Sequence, residues 1–586
     1  MIVKQRAPIQ YDNTLTQILT TRGVSASDVQ RYVKASLETE VNSPQAFGEE
    51  LMEAALKLLI RHIKADHNAL VVVDCDVDGN TSAALLLNYL HKLFPAWVEN
   101  KVEYCFHTGK QHGLKDIAPY ICDDSANYSL VICPDSASND VEECKILKED
   151  CTDVLVLDHH DLDKENPYAL IINNQEGYSD YPNKALSGVG VVWQFCRAID
   201  ELMHTEYANE LLDLVAIGLV GDMMDLRELE TRALVTAGLK NLHNPYIYYM
   251  AQKNAFKLGS KITPIGAAFY IVPLLNAIQR SGTQEEKKLV FESMLEYKAF
   301  KEVPSTKRGH KAGDKETIVD QAIRTSTNVK NRQTRVQDAS LEKLEKKIAD
   351  ENLLNHKVLL LLLDDDNIPA EVRGLIANKF MAKYQRPCCL LSKGDGCYSG
   401  SARGCSIAGV DDFKQICLDT NEIEYAIGHP NAYGLSIKEE NISSFIDKTD
   451  TALKDMSDEA IYYVDYIFEG QNCNPQIILD IAEMDDYWGS EIDEALVAIK
   501  GLKVTKNMVN IYEKSTDTIK ISLPNGVSLM KFNANEELCS KLGFNNTGFV
   551  ELDIVGKCNA NEFRGLITPQ IFIEDYNIID SNKYYF

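Results

Sequence analysis

The stretch ALVVVDCDVDGNTS at residues 69–82 sets three carboxylates, Asp74, Asp76 and Asp78, in alternation directly after a short apolar run. A buried strand that ends this way delivers its acids to the crevice at the carboxyl edge of a parallel sheet, where α/β folds hold ligands. Like charges crowded beside an apolar strand repel one another unless a cation lies among them, and an oxygen-rich set suits Mg2+ or Mn2+. The competing reading is a solvated acidic turn, because Asp and Gly are common turn residues. Cys75, between two of the acids, reads as a small strand residue.

Further clusters favour the metal. Residues 128–133 form a candidate strand ending in Pro134, Asp135 and Ser136, and residues 154–157 form another ending in Asp158, His159 and His160. In the helical run LLDLVAIGLVGDMMDL, Gly221 and Asp222 interrupt apolar residues, and a carboxylate buried there is costly unless paired or metal-bound. Taken alone, Asp222 fits a helix end facing water equally well. Successive strands that each end in ligand-type residues imply one parallel sheet with a shared crevice.

The elements that must position these residues are legible as periodicities. Residues 1–68 read as helical, with Leu51, Ala54, Ala55, Leu58 and Leu59 at helical spacing, and form an N-terminal cover for the sheet. Residues 81–93 are an apolar helix whose N-terminus faces the crevice. Residues 101–106 make a strand, followed by His107, His112 and Gly113 in a loop.

The chain has 586 residues, enough for three or more domains, and its 45% hydrophobic and 25% charged composition is that of an ordinary folded protein. No apolar stretch approaches the ~18–20 residues of a membrane span, and the opening MIVKQRAPIQYDN has no signal-peptide core, so a cytoplasmic location is expected. The 15 cysteines are scattered, with no C-x-x-C pair, and read as buried reduced thiols. A formal charge of −27 argues against nucleic acid, but cations neutralise metal-site acids and a groove needs only local positive potential.

The set DCDVDG, then PDS, then DHH, then GD in an apolar helix resembles the DHH phosphoesterase superfamily, and LSGVGVVWQF at residues 186–195 is similar to its RecJ branch. The resemblance implies two Mn2+ or Mg2+ ions held by Asp76, Asp78, Asp135, His159 and Asp222, with Asp135 as the bridge. Asp74 is a further ligand or an acid behind the ligands. Asp158 would orient His159, and His160 would lie beside the scissile phosphate. Where the RecJ branch often has Asp followed by Cys-Gly, this chain has Asp135-Ser136.

Residues 320–352 form a long helical run, and the segment from Lys307 to Lys347 also holds Arg308, Lys311, Arg324, Lys330, Arg332, Arg335 and Lys346. These cations are either a solvated helix face or the lining of a substrate groove. A second α/β unit follows: a strand at 356–363, a helix from Glu371, a strand at 386–392, a small-residue turn Ser399-Gly-Ser-Ala-Arg403, and Gly428-His429 before Ala432-Tyr433-Gly434. It resembles the DHHA1 domain, which implies Arg373, Ser401, Arg403 and His429 as phosphate-side residues. Residues 437–490 read as helix and linker. Five alternating segments between 502 and 573 suit a small barrel, and RecJ-like proteins carry an OB-fold there, on which Tyr512, Phe532 or Phe563 could stack bases or simply pack a core.

The expected architecture is therefore α/β: residues 1–245 as N-terminal helices and a parallel-sheet DHH domain, 246–352 as a helical connector, 353–445 as DHHA1, 446–494 as a helical linker and 495–586 as an OB-like β-barrel. The expected activity is two-metal hydrolysis of single-stranded DNA from the 5′ end to 5′-mononucleotides, in repair, recombination or replication. The implied partners are single-stranded DNA and a helicase or single-strand-binding protein, with a monomeric chain and no membrane. Two rivals stand beside it: a phosphodiesterase of short oligonucleotides, RNA or cyclic dinucleotides, and a non-catalytic replication scaffold.

Overall fold

The computed structural model describes residues 1–108, 111–122, 127–364, 368–457, 459–512, 517–542 and 548–582. The chain divides into two compact units, Gly23–Gln333 with Asp486–Asp493, and Met1–Arg22 with Thr334–Asp485 and Glu494–Phe586.

In the first unit the apolar run Ala69–Val73 is buried at every position and forms strand β1. With β2 (Val102–Phe106), β3 (Leu130–Pro134), β4 (Asp153–Asp158) and β5 (Leu170–Asn173) it builds a five-stranded sheet in the order β2-β1-β3-β4-β5. Every pairing is parallel. Such a sheet is covered on both faces, which is why its strands read as unbroken apolar runs rather than alternations.

Helix α1 (Val77–Leu93) begins four residues earlier than expected, because Asp76 caps it by accepting the Gly79 N–H. Asp78 therefore lies in the first helical turn. Helix α2 (Gly188–Met203) and helix α3 (Leu212–Gly221) pack against α1, and Leu212–Leu219 of α3 are all buried, including Asp213, whose Oδ2 accepts from the His243 and Asn244 N–H groups. Close packing requires glycine at 218, where a Cβ would lie 2.5 Å from both Asp78 Oδ1 and Thr81 Oγ1. The helix Glu49–Lys64 buries Met52, Ala55, Leu59 and His62, as the N-terminal cover requires.

The segment 1–68 is not helical throughout. Ile2–Gln5 is a strand of the second unit that pairs in parallel with Ile461–Val464. Four residues are too few for periodicity to reveal, and the partner lies far along the chain.

The second unit holds a mixed sheet in the order Ile423–His429, Ala432–Lys438, Cys397–Arg403, Cys388–Lys393, Leu359–Leu363. Leu359 and Leu361 pack with Leu344, Ile348 and Phe380, while Leu360 packs on the other face with Phe413 and Leu435. The small-residue segment expected as a turn at 399–403 is the second half of a strand, its pairing on both sides replacing the turn. The helix Ile318–Asp350 is unbroken for 33 residues, and the division between the units falls within it, after Gln333.

The 437–490 segment contains two strands, Ile461–Val464 and Tyr466–Glu469, as well as helices. Tyr466–Glu469 is one edge of a seven-stranded sheet that continues through Leu496–Thr505, Phe549–Phe563, Leu566–Asn582, Ser528–Lys531 and Thr518–Ser522 to Val509–Tyr512. Among the described residues no pairing joins the two edges, so the expected barrel is not closed there. Tyr512, Phe532 and Phe563 are 48%, 50% and 65% exposed, which removes core packing as their role.

Candidate active site

Asp74, Asp76 and Asp78 leave β1 and enter α1, Asp135 follows β3, Asp158 ends β4 with His159 and His160 behind it, and Asp222 follows α3. The parallel sheet brings the strand-end residues to one edge, and α3, packed on α1, adds Asp222 to them. Potential ligand atoms converge in overlapping sets, Asp74 with Asp76 and Asp135, Asp78 with His159 and Asp222, and Asp135 with Asp158, His159 and His160, each set within 4.8 Å.

His159 Nε2 lies 3.2 Å from Asp135 Oδ1, 3.5 Å from Asp222 Oδ2 and 3.9 Å from Asp78 Oδ2. Yet Asp135 Oδ1 and Asp78 Oδ2, both buried, have no hydrogen-bond partner, and neither does buried Asp74 Oδ1. Orphaned buried carboxylate oxygens facing an imidazole are unfavourable as a purely protein arrangement and fit a hard divalent cation. The electrostatics agree. Burial, then the neighbouring Asp78, Asp76 and Asp74, pushes the Asp135 carboxyl far above its ordinary range. Burial with Asp78 and Asp76 raises Asp222 to about 8, and burial with Asp74 and Asp78 raises Asp76 to about 6. Burial lowers His159, keeping it the neutral imidazole a metal needs.

The loop after β3 is held under backbone strain: Asp135 and Ala137 have φ of 67° and 78°, unusual for residues with a Cβ. Close approach of α2 fixes Asp135 further, since a Cβ on Gly188 would lie 2.3 Å from Asp135 Oδ1. Ser187 Oγ and the Val189 N–H both donate to Asp78 Oδ1, at 2.8 and 3.2 Å. Residues 187–189 carry no charge, so ligand-type spacing passes over them; their signal in the sequence is the LSGVGVVWQF stretch at 186–195, which contains them.

Asp158 behaves differently from the expectation that it orients the His159 ring. Its Oδ1 accepts from the His159 backbone N–H at 2.7 Å and from His160 Nδ1 at 2.7 Å, so the ring it fixes is that of His160. Burial works to raise Asp158, but the His160 hydrogen bond and charge prevail and hold it well below the usual range. Burial opposes protonation of His160, yet Asp158 prevails and raises it to about 9.

The phosphate-side candidates all belong to the second unit. Arg403 and Ser401 pack over Gly374, where a Cβ would lie 2.5 Å from Arg403 Nη2 and 3.4 Å from Ser401 Oγ, one residue beyond Arg373. Ala432 pairs with both Arg403 and His429, which sets those two in one row across three strands. Arg373 Nε donates to the Ile368 carbonyl at 2.9 Å and Arg403 Nη1 to the Ala402 carbonyl at 2.6 Å.

Residues 68–219 match the DHH family, N-terminal domain. A Bacillus subtilis protein named as an SPbeta prophage-derived single-strand DNA-specific exonuclease, YorK, is 31% identical over 97% of this chain and 96% of its own length. This chain belongs to the RecJ-like DHH family. The single-stranded-DNA-specific exonuclease RecJ of Bacillus subtilis is 24% identical to this RecJ-like chain over 96% of it and 67% of the relative. The fold agrees with the crystal structure of Thermus thermophilus RecJ in complex with Mn2+, at a TM-score of 0.70 and 18% identity over 99% of this chain and 80% of the other. Membership makes the RecJ-like chain a hydrolase. Among its described residues no helix is long and apolar enough to cross a membrane.

Proposed function

We propose that the chain is a divalent-metal-dependent exonuclease of single-stranded DNA that works 5′ to 3′ and releases 5′-mononucleotides. The observation that carries it is the set of buried, unpartnered oxygens of Asp74, Asp78 and Asp135, two of them within 4 Å of His159 Nε2. Asp76, Asp78, Asp135, His159 and Asp222 would hold two Mn2+ or Mg2+ ions, with Asp135 and His159 each common to two of the converging sets and Asp74 beside them. Such ions supply charge neutralisation at a phosphoryl centre and activate a water at neutral pH.

The chain's own groups do the rest. His160, half-exposed and held protonated by Asp158, presents an N–H and a positive charge to a phosphate at the mouth of the cluster. Asp158 is a positioning residue. Arg403 and Arg373 offer planar forks to phosphate oxygens, with Ser401 and His429 adding donors. Exposed Tyr512, Phe532 and Phe563 provide flat faces on which unstacked bases can lie, an interaction single strands permit and duplexes do not. The names of the relatives support single-stranded DNA as substrate, and 5′ polarity rests on family analogy.

Calorimetric titration of the chelated chain with Mn2+, paired with hydrolysis of single-stranded DNA, duplex DNA, RNA and dinucleotides, tests the reading. Two bound ions and turnover of single-stranded DNA alone are expected. Fast turnover of dinucleotides or short RNA with none of long DNA would replace it by the small-substrate reading, and absence of metal binding would leave a scaffold.

A further inference from the structure

Beside the carboxylate cluster lies a group of softer donors that the proposed hydrolysis does not use. Cys75 Sγ, 3.3 Å from His112 Nε2 and 3.7 Å from its Nδ1, faces the same ring that holds Asp74 Oδ2 at 2.6 Å. One ligand atom from each of Asp74, Cys75 and His112 lies within 4.8 Å of the others. Cys75 is buried and Asp74 is 1% exposed, while the His112 side chain is 54% exposed, so the group is reached from solvent on the imidazole side.

Two further observations mark the place as a ligand site. Asp74 Oδ1 is buried with no hydrogen-bond partner. The buried His107 ring anchors its Nδ1 on Asp116 at 2.9 Å and leaves Nε2 unpartnered, 3.5 Å from that same oxygen. A carboxylate whose two oxygens face two imidazoles, next to a thiol, is a mixed O, N, S set. Mn2+ and Mg2+ prefer oxygen, whereas thiolate with imidazole selects zinc.

We propose that Asp74, Cys75 and His112 form a zinc-type site edge-on to the oxygen cluster, the carboxylate of Asp74 being common to both. Binding deprotonates the Cys75 thiol and the liganding nitrogen of His112, both protons passing to solvent, with S, N and O donors in three positions and the fourth open at the exposed His112 edge. Zinc bound here withdraws Asp74 from the oxygen cluster and so lowers manganese-driven turnover; this consequence rests on the hydrolase reading, while the site itself does not.

Cobalt is the probe, because a thiolate ligand gives it a near-ultraviolet sulfur-to-metal charge-transfer band that oxygen and nitrogen ligands cannot produce. The chelated full chain is titrated with Co2+, then with Zn2+. The band should appear, be bleached by Zn2+, and be lost in Cys75→Ser and His112→Ala, both with unchanged near-ultraviolet circular dichroism. The solvent-facing His112 is the variant whose folding is least at stake. No band in the wild-type chain, or a band that survives either substitution, overturns the site. A band without any nuclease activity would leave the zinc site standing and sink only the exonuclease, and activity without the band would do the reverse.

Discussion

At the scale of single residues, the centre is defined by what its groups lack. Asp135 carries a buried unpartnered oxygen, a φ of 67° and a carboxyl raised by burial and then by the neighbouring Asp78, Asp76, Asp74 and Asp222. It is unfavourable without a cation and well placed with one. Replacing it with the isosteric Asn removes repulsion but also a ligand. Asp135→Asn is therefore expected to lower turnover by more than about 100-fold, since even groups behind metal ligands cost 10- to 100-fold. Its melting point in chelator should equal or exceed that of the wild type. Mn2+ at 100 times its Kd stabilises a binding-competent chain by about 2.7 kcal/mol, a rise the variant should lose. A lower melting point in chelator would make Asp135 a structural acid. The types and spacing of Asp74, Asp76, Asp78, Asp135, His159 and Asp222 were all readable before any fold. The destination of Asp158 was not, because neighbouring histidines at a strand end point to different sides and only the packed loop shows which ring it meets.

At the scale of elements, the centre depends on how closely α2 and α3 approach. Gly188 faces Asp135 at a distance no Cβ tolerates, so Gly188→Ala must push the carboxylate or the helix aside. Turnover is expected to fall by at least about tenfold with the fold retained, judged by circular dichroism, because displacement by about 1 Å at a site costs on the order of 100-fold. Wild-type turnover would show that the loop after β3 yields freely. The entry to the long helix holds a second testable contact, where buried Glu316 pairs with Arg324 at 2.7 Å. The Arg324 hydrogen bonds, against opposing burial and with help from the Thr306 N–H, lower Glu316 from 4.5 to about 2. A depressed carboxyl stabilises the fold above its unfolded value and loses that stabilisation as pH falls through the folded one. Urea unfolding stability should therefore decline between pH 4.5 and about 2 in the wild type and decline less in Glu316→Gln; identical pH slopes would remove this pair from the acid response. The helical runs read at 211–226 and 320–352 correspond to α3 and to the helix Ile318–Asp350, whereas no helix is expected from sequence at α2. Periodicity failed for Ile2–Gln5 and for the strand Cys397–Arg403, whose small residues read as a turn until pairing on both sides supplied the missing constraint.

At the scale of the whole molecule, a formal charge of −27 must coexist with the polyanionic substrate proposed above. Part of the basic run between 307 and 347 is neutralised locally, Arg324 by Glu316 and Arg332 by Glu286, so the run is in part the solvated helix face weighed from sequence. On the proposed function, phosphate recognition then falls more heavily on Arg373 and Arg403. Arg403→Ala is expected to raise KM for single-stranded DNA by about 10- to 100-fold, the worth of a charge-assisted hydrogen bond, with kcat changed less; an unchanged KM would take Arg403 off the phosphate path. Fold class was legible because parallel strands write themselves as buried runs. Closure of the C-terminal sheet was not, because strand count does not fix which edges pair. The most direct measurement is digestion of a long single-stranded DNA labelled at either the 5′ or the 3′ end, in Mn2+, by the wild type and by Asp135→Asn. Prompt release of a labelled mononucleotide from the 5′-labelled strand by the wild type alone is the expected result. Internal cuts, mononucleotide release from the 3′ end first, or equal activity in the variant would contradict a 5′ exonuclease centred on these carboxylates.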